Sequence, residues 1–188
     1  MARLPLHTID TAPEASRRHL EQSLAANGFL PNLVASLANA PTALETYLSV
    51  AAINGRSGLS LAEREVVQIT AAAIHGCGFC VAGHTAVALN KAKLPADLVA
   101  AIRDQTPIAD PRLAAVAALT RAVIDTRGNV GDAAHAAFRE AGFSDANALE
   151  VILGVSLATL CNFANNFSQN PLNPQLEAYR WEPRAQPA

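Results

Sequence analysis

Nowhere in this chain do apolar and polar residues alternate with period two for long enough to form a strand. The apolar residues instead recur at helical spacing, in segments closed by Gly, Pro or Asn, and the sequence predicts an all-α fold. Residues 13–28 form a first helix, with Pro13 near its start and Gly28 just past its end. A short helix within 30–41 and a longer one within 41–58 follow, each opened by a proline. Ser60 and Glu63 then make a capping box ahead of a helix ending near Ala73 or His75, where Gly76 and Gly78 break it. Further helices are expected over 79–91, 95–103, 110–129, 131–143 and 144–168, and residues after Asn170 read as a loosely structured tail.

A length of 188 residues suits a single domain, or two small repeats sharing one core. Half of the residues are apolar (51%) and few are charged (16%), as suits closely packed helices. A formal charge of -2 and the lack of any basic run argue against nucleic acid as a partner. The start, "MARLPLHTID", lacks the apolar core of a signal peptide. The most apolar run, residues 151–161, is about half of what a bilayer needs, so no membrane span is expected. Three cysteines, two of them close together, fit a reducing, cytoplasmic setting better than a disulfide framework.

An offset of 84 residues pairs Ser60 with Ser144, Ala62 with Ala146, Val67 with Val151, Cys77 with Cys161 and Phe79 with Phe163. In the same frame Glu65 meets Leu149, Cys80 meets Ala164 and His84 meets Ser168. Residues 110–170 are therefore either a degenerate second repeat that kept the helices and lost the chemistry, or a recurrence of capping and apolar patterns.

The chemistry concentrates in "HGCGFCVAGH", residues 75–84. Covalent haem attachment needs a histidine directly after the second cysteine, and that position is Val81. Zinc held by His75, Cys77, Cys80 and His84 is one alternative, and a pair of small buried thiols is another. A redox pair uses more of the features. Two cysteines three apart can close and reopen a disulfide, and His84 lies one turn after Cys80 on the same helix face. An ordinary thiol is only about 3% thiolate at pH 7; lowering its pKa by two units, about 2.7 kcal/mol, makes it mostly thiolate. His84 and the helix N-terminus make Cys80 the better activated thiol. The histidine needs an orienting carboxylate, and the nearest acidic candidates upstream are Glu63 and Glu65; Glu65 is either that partner or a solvated first-turn carboxylate favoured by the helix dipole. It falls opposite residue 86 if its helix ends at Ala73, and opposite residue 89 if the helix reaches His75. His75 itself reads as a residue of the last helical turn, and Cys161 as a core thiol.

The stretch "LSLAEREVVQITAAAIHGCGFCVAGHTAVAL", with Glu65, Cys77, Cys80 and His84, resembles the core motif of the alkylhydroperoxidase D-like proteins of the carboxymuconolactone decarboxylase superfamily. The likeness is good over about residues 40–95, and "GFLPNLVASLANAP" is similar to the lead-in of the peroxidase-related branch. The resemblance implies an all-helical bundle carrying the cysteine pair on a hairpin, assembled as trimers or hexamers, with no bound cofactor. It implies an oxidoreductase acting on hydroperoxides, with Cys80 as peroxidatic thiol, Cys77 as resolving thiol and His84 and Glu65 as proton relay. An external dithiol or redox protein would supply the electrons. Phe79 stands where the best-characterised members carry a further histidine between the cysteines. The decarboxylase branch lacks the cysteine pair. A redox sensor or scaffold without turnover, and a proton-transfer enzyme using only His84 and Glu65, are the other functions open to this motif.

Overall fold

A computed structural model of the chain describes residues 2–182, and among these there are nine α-helices, one 3-10 helix and no strand. The helices are α1 (Glu14–Asn27), α2 (Asn32–Leu37), α3 (Pro41–Asn54), α4 (Leu61–Ile74), α5 (Gly78–Asn90), α6 (Ala96–Arg103), α7 (Pro111–Thr126), α8 (Asp132–Glu140) and α9 (Asp145–Ser168). The all-α expectation is met.

Local chemistry sets where these helices begin. At α4 the Ser60 hydroxyl accepts from the Glu63 amide at 3.3 Å, while the Glu63 carboxylate accepts from the Ser60 amide at 2.7 Å. Arg112 at the head of α7 donates to the second Glu63 oxygen at 2.6 Å and stacks on Phe143, so the cap also ties α4 to α7. At α9, Ser144 and Asn147 form a second capping box. Between α4 and α5 the chain reverses through Gly76, whose φ of 66° is a left-handed conformation that suits glycine. Helix α5 starts one residue earlier than the sequence suggests, because the Cys77 sulfur caps it, accepting from the Cys80 amide at 3.3 Å.

Two apolar clusters fill the bundle, and α4 runs through both. Val66, Val67 and Ile69 pack with α6, α7 and Val151 of α9, joined by the stacked pair Phe138 and Phe143. Ala72 and Ala73 pack with Leu20, Leu33, Leu44, Val81 and Leu157, in a cluster that also contains all three cysteines. Residues 65–73 of α4 are buried without interruption. Helix α9 crosses α4 so closely that a Cβ built on Gly154 would stand 2.8 Å from Val67 Cγ1, and the Gln68 amide reaches the Gly154 carbonyl at 2.9 Å. By length and composition alone α9 could cross a membrane, but it packs against α2, α3, α4, α5 and α7 and buries Asn162 and Asn165.

Over residues 171–182 the tail differs from its sequence reading, and residues 183–188 lie outside the described residues. Residues Pro174–Tyr179 form a 3-10 helix that lies along α5, with Asn90 donating to the Tyr179 hydroxyl at 2.8 Å. Trp181 packs on the cysteine-bearing cluster, and its carbonyl would sit 2.7 Å from a Cβ on Gly78. The polar composition that suggested looseness reflects a segment held by hydrogen bonds: Asn173 accepts from the Asn32 amide at 2.8 Å and donates to the Leu30 carbonyl at 3.2 Å.

The close crossing gives a direct test of the packing. Gly154→Ala overpacks the α4/α9 contact and is expected to cost about 1–3 kcal/mol, read as a lower thermal midpoint. Adding Val67→Ala, which removes the opposing methyl groups, is expected to return part of that loss in a double-mutant cycle.

Candidate active site

The hairpin of α4 and α5 brings Glu65 and His84 into contact. His84 Nδ1 lies 2.8 Å from Glu65 Oε2, with the Glu65 side chain only 8% exposed. The helix ends at Ile74, between the two ends the sequence allowed, and the lengths of the two side chains bridge the remaining offset. With Nδ1 committed to the carboxylate, Nε2 is the nitrogen left to exchange a proton. One turn before His84 on the same helix, Cys80 is 5% exposed, and Cys77 at the helix start is 1% exposed. All three cysteines are free thiols.

Helix α9 supplies the rest of the site, which the sequence reading did not identify. The Asn165 amide donates to Cys80 Sγ at 3.2 Å, and Asn162 adds a second side-chain hydrogen bond to the same sulfur. Each amide is itself held in place. Asn170 donates to the Asn165 oxygen at 2.7 Å, and His75 Nδ1 lies 3.0 Å from the Asn162 oxygen, where its N–H donates. His75 is thus the residue that closes α4, as the sequence suggested, and also a support for Asn162; its ring meets Phe163 edge-on at 5.0 Å. The signal that could have exposed these amides is a pair of asparagines three apart in an otherwise apolar helix.

These contacts set the protonation of the thiols. The Cys77 thiol donates to Cys80, and together with the His84 charge and the two asparagine amides it overcomes burial and lowers Cys80 to about 7. About half of it is then thiolate at pH 7. The same Cys77–Cys80 hydrogen bond, reinforced by burial, pushes Cys77 far above the ordinary thiol range. Burial pulls His84 down, but the Glu65 carboxylate and the Cys80 sulfur outweigh it, so its pKa is raised. The two shifts both act toward a thiolate beside an imidazolium. Cys161 is pushed up by burial and by the negative charge of Cys80, and stays a thiol.

A cavity of about 520 Å³ opens on Cys80 and His84. Its walls are mainly apolar, from Phe29, Leu33, Phe79, Val87 and Leu157, with Tyr47, Gln68 and Cys161 adding polar or ionisable groups. Phe79 therefore contributes a wall. Cys161 belongs to the core, as the sequence suggested, and also faces this cavity. Among the described residues no group of three or more His, Cys, Asp and Glu side chains is arranged to hold a metal ion.

Residues 38–122 match the carboxymuconolactone decarboxylase family. Of the solved structures, an uncharacterized peroxidase-related protein from Ralstonia eutropha JMP134 with an alkylhydroperoxidase AhpD core is similar, at 23% identity and a TM-score of 0.84 over 93% of this chain and 94% of that one. A peroxidase-related protein from Silicibacter sp. TM1040 gives 20% identity and a TM-score of 0.76 over 95% and 96%. The C82A variant of the debrominase Bmp8, in complex with 2,3,4-tribromopyrrole, gives 18% identity and a TM-score of 0.72 over 94% of each chain. No curated protein matches the chain. The family match thus spans the helices that carry Glu65, Cys77, Cys80 and His84, and the chain as a whole shares the all-helical fold of these structures, in line with the resemblance its cysteine motif suggested.

The amides of α9 can be tested by reactivity. The rate at which iodoacetamide alkylates Cys80 should rise through a midpoint near pH 7. In Asn165→Ala the thiolate loses a donor, so the midpoint moves to higher pH. The rate should fall several-fold at pH 6.5 and stay unchanged at pH 9, where the thiol is ionised in both proteins.

Proposed function

We propose that this protein is a thiol-dependent hydroperoxide reductase working through a Cys77/Cys80 dithiol–disulfide cycle. The observation that carries the reading is one sulfur, Cys80, that receives two amide donors and neighbours a carboxylate-held imidazole at the floor of an apolar cavity. Cys80 gives its proton to His84 and attacks the terminal oxygen of ROOH. The S–O bond forms as the O–O bond breaks, and RO⁻ takes the proton from His84 to leave as ROH. The sulfur is oxidised by two electrons to the sulfenic acid. Cys77 then attacks that sulfur, its proton leaves with the hydroxyl group as water, and the disulfide closes. An external dithiol restores both thiols by exchange, leaving as its own disulfide. Glu65 holds His84 in position and favours its charged form.

The proposal extends to assembly and compartment. Leu149, Ile152, Phe163 and Phe167 remain exposed on α9, an apolar face suited to burial between copies of the chain, as a trimer or hexamer would provide. Three unpaired thiols suit the reducing cytoplasm.

A second reading is favoured by the similarity to the debrominase: the same thiolate takes bromine from a bromopyrrole as the C–Br bond breaks and the ring carbon takes a proton from His84, and Cys77 then displaces bromide from the Cys80 sulfur to form the disulfide. A steady-state assay with dithiothreitol separates the readings. The first expects consumption of an alkyl hydroperoxide, the second release of bromide from a bromopyrrole. A sensor would form the disulfide without turnover, and a proton-transfer enzyme would survive loss of both thiols. Cys80→Ser is expected to abolish peroxide consumption and Glu65→Gln to slow it by at least about 100-fold; full activity in Cys80→Ser overturns the assignment.

A further inference from the structure

The relay accounts for the thiolate and its proton, but not for the oxygen that must leave. When a thiolate attacks the terminal oxygen of a hydroperoxide, the leaving oxygen lies beyond it, in line and away from the sulfur. A group that stabilises this oxygen must therefore stand across the cavity from Cys80. Cys80 and His84 enter the cavity from α5, and Tyr47 enters it from α3.

Tyr47 has the properties such a donor needs. Its ring packs on the cysteine-bearing cluster, and it forms part of the wall between this cavity and a second one of about 460 Å³. No hydrogen bond figures among the influences on its hydroxyl, which leaves that group available to a molecule in the cavity. Among the other side-chain donors lining the cavity, Asn27, Asn90 and Lys91 are exposed, and Gln68 commits one of its two amide N–H groups to the Gly154 carbonyl. Burial above all, with the negative charge of the Cys80 thiolate adding to it, pushes the phenol above its ordinary range, so it keeps its proton wherever Cys80 is reactive.

We propose that Tyr47 is a further catalytic residue, whose hydroxyl donates a hydrogen bond to the leaving oxygen of a hydroperoxide held in the cavity. The inference rests on the hydroperoxide reading. As the O–O bond breaks, the electron pair moves onto the RO oxygen and the Tyr47 O–H stabilises the developing charge. The proton that completes ROH is the one His84 took from Cys80, so Tyr47 ends the step as it began it. This role matters for a basic alkoxide and little for a leaving group that is already a stable anion.

Tyr47→Phe keeps the ring and removes only the donor. Single-turnover oxidation of Cys80 should be followed in the full chain with tert-butyl hydroperoxide, which expels an alkoxide, and with peracetic acid, which expels a carboxylate. The variant is expected to slow about 100-fold with the first oxidant and less than about threefold with the second, with the alkylation midpoint of Cys80 unchanged. Equal slowing with both oxidants, or none with either, overturns the role of Tyr47 while leaving the hydroperoxide reading intact. If neither oxidant consumes Cys80 in the unsubstituted protein, the reading fails and the proposal with it.

Discussion

A carboxylate at the head of a helical run that is buried without interruption from residue 65 to 73 has to be matched, because an unpaired buried charge is far costlier than the packing it displaces. Glu65 is that carboxylate, and His84 is its match. Once the imidazole is held by Nδ1 and favoured as a cation, a thiolate one turn earlier on α5 becomes the natural third charge. The remaining pieces follow from keeping that thiolate buried: Cys77 donates from the helix start, and two amides of α9 donate from the side. The Glu63 cap locked to Arg112 fixes the rotation of α4, and with it the direction in which Glu65 points.

The division of labour between the two cysteines comes from position rather than type. Both are buried, yet the hydrogen bond between them runs from Cys77 to Cys80, raising one thiol and lowering the other. Helix geometry favours this polarity. Cys77 is the cap and its sulfur faces the amide of Cys80, whereas the Cys80 sulfur is turned toward α9 and the cavity. The glycines around them serve the same end, Gly76 by its left-handed turn and Gly78 by leaving room for the Trp181 carbonyl.

What the sequence made legible was local. The capping box, the glycine break and the spacing from Cys80 to His84 all lie within one helical hairpin, where helical period translates into distance. Glu65 was readable for the same reason, although its level depended on where α4 stopped. Asn162, Asn165 and Tyr47 were not legible, because α9 and α3 reach the site by tertiary packing alone; Asn165 and Cys80 are 85 residues apart in the chain. Composition also misjudged residues 171–182, since Pro174 opens a helical turn and Asn173 and Tyr179 accept hydrogen bonds from α2 and α5.

The cover over the cysteine pair has a kinetic meaning. Cys77 is 1% exposed within the cluster on which Trp181 packs, and it is Cys80 that opens on the cavity. On the proposed cycle, the molecule that oxidises this sulfur and the dithiol that restores it must use the same doorway. The two substrates would then take turns at one mouth, each excluding the other, so turnover is a ping-pong sequence in which an excess of either partner obstructs its counterpart.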